Sequence, residues 1–203
     1  MYYRDHALIL VDLQPDFLPG GALAVTGGDE VLPFASRVMG EFACVVATQD
    51  WHPADHGSFA SQHPGKRPGE LTELHGLTQV LWPDHCVQGT PGAELCAELD
   101  LDGIARVFRK GTNPTVDSYS GFFDNGRRQS TGLGDWLRSE GITTLSVLGL
   151  ATDYCVKFTA LDARDLGFDV TLLAQGCRGV ELNPGDIARA LDELRAAGVR
   201  IEE

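Results

Sequence analysis

Two carboxylates, a cation and a thiol stand where apolar runs of strand length give out. Asp12 follows ALILV, Asp50 follows ACVVATQ, Lys110 follows ARVFR, and Cys155 lies in Thr152-Asp153-Tyr154-Cys155 beyond TTLSVLG. In open parallel sheets ligands bind outside the carboxyl ends of the strands, so these four side chains are placed to converge on one cleft. A cysteine in the first turn of a helix sits among exposed N–H groups at the positive end of the dipole, which favours a thiolate and can hold an oxyanion. Acyl transfer by a cysteine nucleophile is the chemistry this set could perform. A free thiol titrates near about 8.5 and needs an acceptor or a cation to react at neutral pH. Asp12 can take that proton and return it to a leaving amine, and Lys110 can stabilise both anions. None of the six histidines follows the first or third strand, so no Cys-His pair suggests itself. Each residue has an ordinary alternative: Cys155 a buried structural thiol, Asp12 a turn residue, Lys110 a solvated charge. All three together favour the catalytic reading.

A second constellation lies in Asp50-Trp51-His52-Pro53-Ala54-Asp55-His56 and Trp82-Pro83-Asp84-His85-Cys86. Asp50, His52, His56 and His85 form a nitrogen and oxygen donor set for Zn(II), Fe(II) or Mn(II). His63 and His75 are alternative donors from the same stretch, and a surface loop of hydrogen-bonding histidines is the plainer reading. The neighbouring prolines and tryptophans, which stiffen and shield, favour metal. Phe17, Trp82 and Tyr154 could form a slot for a flat ring, although aromatics are more often core.

These residues need a scaffold. Ala7–Asp12, Ala43–Gln49, Ala105–Arg109, Thr143–Gly149, Phe168–Ala174 and Val199–Glu202 read as six strands, rich in Val, Ile and Leu without strict alternation, as in a parallel sheet buried on both faces. Between them, helical spacing predicts helices at about 30–41, 131–140 and 153–166. A fourth helix starts at an Asn183 N-cap with Pro184 at its first position, presents Ile187, Ala190, Leu191 and Leu194, and ends at Gly198. The alternation predicts a doubly wound α/β fold. The stretch from Asp50 to Leu101 departs from it. A long segment of this kind is usually functional or disordered, and its two tryptophans favour order.

The chain has 203 residues, 43% of them hydrophobic and 22% charged, which fits one domain over 1–203 with an excursion at about 50–101. At this size roughly 70% of the unfolded surface can be buried, so no structural metal is needed and a bound metal would point to chemistry. A net charge of −13 opposes nucleic acids and anionic membranes. The run Ala7 to Val11 is cut short by Asp12 and reads as neither signal peptide nor membrane span. Five cysteines in no paired spacing suggest reduced thiols in a cytoplasm.

Taken together, ALILVDLQPDF (7–17), TQDWHPADH (48–56), LWPDHCV (81–87), FRKGTN (108–113), DSYS (117–120), FFDNGRR (122–128) and GLATDYCVK (149–157) resemble the nicotinamidases of the isochorismatase-like hydrolase superfamily. The resemblance covers nearly the whole chain in the family's motif order. It implies a three-layer α/β/α fold with a mainly parallel six-stranded sheet flanked by helices. It also implies hydrolysis of nicotinamide to nicotinate and ammonia in NAD salvage, with pyrazinamide as a further substrate, through a Cys155 thioester. Asp12, Lys110 and Cys155 would be catalytic, and Asp50, His52, His56 and His85 would hold one divalent ion, foremost Zn(II), with Fe(II) or Mn(II) as alternatives. That ion would hold the ring nitrogen. Phe17 and Trp82 would stack on the ring, with Tyr154 beside them. A cis peptide at Leu150–Ala151 would aim the N–H groups of Ala151 and Cys155 as the oxyanion hole, and Asp153 would order that turn. Pro15 stands where many relatives carry Asn. The runner-up is a carbamoyl- or maleamate-type cysteine amidohydrolase of the same fold, which would not need the histidine set. A binding protein without catalysis would have no use for the Asp12, Lys110, Cys155 trio. The state, monomer or homo-oligomer, is left open.

Overall fold

The computed structural model describes residues 4–203. Its strands are β1 His6–Val11, β2 Cys44–Asp50, β3 Leu71–Leu74, β4 Leu77–Val80, β5 Arg106–Lys110, β6 Thr144–Leu150, β7 Asp169–Arg178 and β8 Arg200–Glu202. Six form one sheet in the order β5-β2-β1-β6-β7-β8, and every neighbouring pair is parallel. The six anticipated strands are these six. Burial on both faces explains their composition: Ala7 to Val11 of β1 have no exposed surface at all.

The helices are α1 Val31–Met39, α2 Leu133–Ser139, α3 Lys157–Asp165 and α4 Asp186–Ala196. The connection from β1 through α1 to β2 runs toward the β5 edge, whereas those through α2, α3 and α4 run the opposite way across the sheet. Right-handed crossovers therefore put α1 on one face and the other three on the opposite face, giving the three layers. Among the described residues no helix is long and apolar enough to cross a membrane.

Two helix starts differ from the sequence reading. The helix expected over 153–166 opens with a π-helical turn, Thr152–Val156, and becomes α-helical only at Lys157. The cap of α4 is Gly185, at φ +89°, instead of Asn183. Asn183 and Pro184 both precede the helix, whose start has no side-chain cap, and the Asn183 N–H donates to Asp186 Oδ2 at 2.7 Å.

The long excursion is ordered. Its hairpin, β3 with β4, turns through His75 at φ +49° and Gly76 at φ +82°, a two-residue turn whose twist suits antiparallel strands. The excursion is tied back by the Cys96 N–H to the Leu13 carbonyl and by Ser36 Oγ to the Glu98 carbonyl.

At the centre of the sheet the ends of β1 and β6 nearly touch. Gly149, at φ +133° in an irregular register, lies so close that a Cβ there would stand 2.1 Å from the Val11 carbonyl oxygen. Only glycine allows that approach. It brings Asp12, at φ +51°, beside the Leu150–Ala151 peptide, which is cis.

Candidate active site

Lys110, the last residue of β5, has a side chain with no exposed surface. Its Nζ donates to Asp50 Oδ1 at 2.8 Å, to the Ser118 carbonyl at 2.9 Å and to Cys155 Sγ at 3.4 Å. Asp12 Oδ2 lies 2.9 Å away as an ion pair. Burial alone would lower the pKa of this ammonium. Asp12, Asp50 and Cys155 outweigh it and hold the Lys110 pKa well above its usual value.

Asp12 is fully buried at the turn after β1. Oδ1 accepts the Thr48 hydroxyl at 2.6 Å, and Oδ2 holds the ion pair with Lys110. Burial raises the Asp12 pKa above the ordinary carboxylate value, against the opposing pull of Lys110 and the Thr48 hydroxyl. Burial also pushes the Cys155 thiol well up, opposed by Lys110 and reinforced by the charges of Asp12 and Asp50. The helix start and the cation favour the thiolate, as the sequence suggests, but loss of water outweighs the ammonium and keeps the thiol pKa raised. A thiol and a carboxylate that are both raised, around one fixed cation, can exchange a proton without changing the charge of the cluster.

Asp50, His52 and His85 have ligand atoms all within 4.8 Å of one another. Asp50 Oδ2 lies 3.1 Å from His52 Nε2 and 3.6 Å from His85 Nε2. The outer nitrogens are engaged: His52 Nδ1 lies 2.9 Å from the Gly111 carbonyl and His85 Nδ1 2.7 Å from that of Pro83. Such contacts leave Nε2 free for a metal. His56 is not in that set and falls with His52 and Asp117 in a second one. Its ring centroid is 4.2 Å from that of His52. Nδ1 meets Ser58 Oγ at 2.7 Å, and buried Nε2 has no hydrogen-bond partner. Burial and the neighbouring His52 lower its pKa to about 4, so the ring is neutral, the form that ligates. Burial would raise the pKa of Asp50, but His52 and Lys110 hold it well below the usual range as a carboxylate. This donor set fits a divalent cation, with three ligands assembled and His56 adjacent. His63 and His75 stand apart: the first meets the Gly57 carbonyl and the second turns the hairpin.

Phe17, Trp82, Tyr154, Tyr119 and Val180 line a largely apolar cleft that ends on Cys155, Asp50 and His85. Trp82 meets Tyr154 edge to face with centroids 4.9 Å apart. All three aromatics read from the sequence are therefore in its walls. Ala151 lines it too, and its carbonyl accepts the Tyr154 and Val156 N–H groups at 3.1 Å each, folding the nucleophile turn back on itself. Asp153 ties that turn to a distant segment. Its carboxylate leaves the turn to accept the Val180 N–H at 2.9 Å and the Glu181 N–H at 2.8 Å.

Several functional neighbours were not read from the sequence. Thr48 and Gln14 are polar residues at the carboxyl ends of β2 and β1, and that position was their signal. Tyr119 Oη accepts Trp82 Nε1 at 3.2 Å, and Gln79 donates to Asp117 Oδ2 at 2.8 Å. Asp117 and Tyr119 stood in the DSYS motif without a role. Gln79 became visible only through the hairpin, whose signal was His-Gly between two alternating segments.

The chain is similar to known proteins in sequence and fold. The family model described as isochorismatase domain matches residues 6–202. The chain is 57% identical over 201 residues to nicotinamidase of Escherichia coli K12, covering 96% of this chain and 93% of that one. The solved structure titled as an Acinetobacter baumanii nicotinamidase and pyrazinamidase superposes with a TM-score of 0.97 at 41% identity, over 100% of this chain and 98% of that one. Pyrazinamidase of Pyrococcus horikoshii, solved in complex with zinc, gives a TM-score of 0.80 at 39% identity, over 98% and 99% of the two chains. With a six-stranded parallel sheet, flanking helices and this extent of identity, the chain belongs to the isochorismatase-domain family, among its nicotinamidases.

Proposed function

We propose that this chain hydrolyses nicotinamide to nicotinate and ammonia, and pyrazinamide likewise, through a thioester on Cys155. The observation that carries the mechanism is Lys110, whose one ammonium touches the nucleophile Cys155, the base Asp12 and the metal ligand Asp50 at the floor of an aromatic cleft.

Asp12 accepts the Cys155 proton on the free lone pairs of Oδ2, and Lys110 stabilises the thiolate. Sulfur attacks the carboxamide carbon, forming the C–S bond, and the carbonyl oxygen takes the electron pair within reach of the Ala151 and Cys155 N–H groups. Collapse breaks the C–N bond, and ammonia leaves with the proton from Asp12. Asp12 then takes a proton from water, whose oxygen attacks the thioester. Collapse breaks the C–S bond, Asp12 returns its proton to the sulfur, and the acid product departs as nicotinate, its proton passing to the released ammonia. Phe17, Trp82 and Tyr154 hold the ring between their faces and edges and exclude bulk water.

Asp50, His52 and His85 would hold the divalent ion, with His56 beside them. When bound, that ion supplies a Lewis acid that orients the ring nitrogen. Zinc is the reading that the Pyrococcus horikoshii relative supports. The whole chain acts as one catalytic domain on a small neutral substrate, within NAD salvage in the cytoplasm, a placement supported by the bacterial relative.

Ammonia release from nicotinamide, measured beside metal content on the purified protein, tests this. Loss of turnover in Cys155→Ala with the metal retained is expected. Full turnover in that variant, or an aliphatic amide cleaved far faster than nicotinamide, would overturn the proposal.

A further inference from the structure

Two consecutive residues of one loop grip two consecutive residues of another. Asp16 Oδ2 accepts the Cys86 N–H at 2.7 Å, and the next side chain, Phe17, meets the His85 imidazole edge to face with ring centroids 5.6 Å apart. The first pair belongs to the turn after β1, the second to the loop that carries a metal ligand. Phe17 and His85 both line the cleft.

Asp16 is bonded in both directions. Its carbonyl accepts the Leu23 N–H at 2.9 Å and its Oδ1 the Ala22 N–H at 3.4 Å, which folds the chain back and brings Leu23 into the cleft wall with Phe17. The carboxylate lies against bare backbone at Gly92, where a Cβ would stand 2.2 Å from Oδ1. Cys86 is held from two sides, its N–H by Asp16 and its carbonyl by the His52 N–H at 2.9 Å. It is a buried residue at φ +46°, in the left-handed region that side chains other than glycine rarely adopt. Such a backbone persists only while its surroundings over-determine it. Of the two holds on Cys86, the bond to a carboxylate is the stronger, being charge-assisted. His85 directly precedes this residue, so what fixes Cys86 fixes a metal ligand.

We propose that Asp16 is a positioning residue that couples the metal centre to the aromatic wall, through Cys86 and His85 on one side and Phe17 and Leu23 on the other. The inference rests on the metal reading of Asp50, His52 and His85. Fixing His85 fixes the wall that leans on it, and by reciprocity a ring in the cleft strengthens the metal centre. The coupling reaches even a ring that offers the metal no donor.

Zinc affinity, read by chelator competition, and the affinity of acetophenone, a flat uncharged ring with neither a ring nitrogen nor an amide to hydrolyse, test this on the full-length protein. In the unmutated protein zinc should tighten acetophenone binding about fivefold or more, the lower end of ordinary coupling. In Asp16→Ala, zinc affinity should fall about 10–100-fold, and saturating zinc should no longer change acetophenone affinity. Asp16→Asn, which keeps an oxygen for the Cys86 N–H, should recover part of both. If Asp16→Ala fails to fold, Gly92→Ala carries both arms, because the added methyl group displaces the carboxylate and leaves Asp16 in the chain. Unchanged zinc affinity in the variant, or an effect of zinc on acetophenone as large as in the unmutated protein, would overturn the proposal. Neither measurement needs turnover, so absence of ammonia from the unmutated protein with both results intact would count against the amidase reading alone.

Discussion

The side-chain amide of Gln14 grips both backbone polar groups of Asp50. Its Oε1 accepts the Asp50 N–H and its Nε2 donates to the Asp50 carbonyl, each at 2.8 Å. The same Nε2 reaches the Ala93 carbonyl at 2.7 Å. Gln14 itself is fully buried, and its own N–H donates to the Asp12 carbonyl at 2.9 Å. One side chain therefore sets the relative position of the base and a metal ligand without touching substrate.

Gln14→Met keeps the volume and leaves the Asp50 backbone groups unpaired. A cost of roughly 1–3 kcal/mol for each unsatisfied buried group is expected in denaturant unfolding. Metal affinity, read by chelator competition, should fall about 10–100-fold, as is usual when the support of a ligand is removed. Unaltered affinity would show that Asp50 is held well enough by β2 alone.

Lys110→Met removes the cation between two buried carboxylates. Turnover should be lost, and stability should fall by about 3–5 kcal/mol, the range for breaking a buried pair from one side. The loss should shrink as pH is lowered, because protonating Asp12 relieves the unpaired charge.

The pH profile follows from Asp12 and Cys155. Catalysis starts from an ionised Asp12 and a protonated Cys155. Since burial raises the Asp12 pKa, kcat/KM should fall with acid above the ordinary carboxylate range. Cys155 and Lys110 are both held well up, so activity should persist into the alkaline range. Thr48→Val removes the hydroxyl that stabilises the ionised Asp12, and the acid limb should move to higher pH. A limb that stays in place would exclude Asp12 as its source.

Exhaustive chelation should abolish ammonia release, and stoichiometric Zn(II), Fe(II) or Mn(II) should restore it. The chelated protein should keep its far-UV circular dichroism, because a chain of this size buries enough apolar surface without a staple. Unfolding on chelation would instead make the ion structural.

The strands and the residues at their ends were legible because strand burial leaves long apolar runs and the chemistry sits where those runs stop. Asp12, Asp50, Lys110 and Cys155 were found by that rule alone. The rise that burial imposes on the Cys155 pKa was not, since desolvation depends on what surrounds the sulfur and the sequence shows only what precedes it. The cap of α4 was misread because Asn183 and Pro184 carry the signals of a helix start, whereas the chain turns into the helix only at Gly185, in the left-handed region that glycine favours. The partners of Asp153 were hidden for a simpler reason: they are 27 and 28 residues away.

β5 has a sheet neighbour on one side only, and it is the strand that carries Lys110. Rim strands fray at lower free energy than central ones. Heating should therefore silence the protein before it melts: the ammonium drifts out of register while β1 and β6 still hold Asp12 and the cysteine turn in place. Thermal inactivation and thermal unfolding would then trace two separate curves, with the first at the lower temperature.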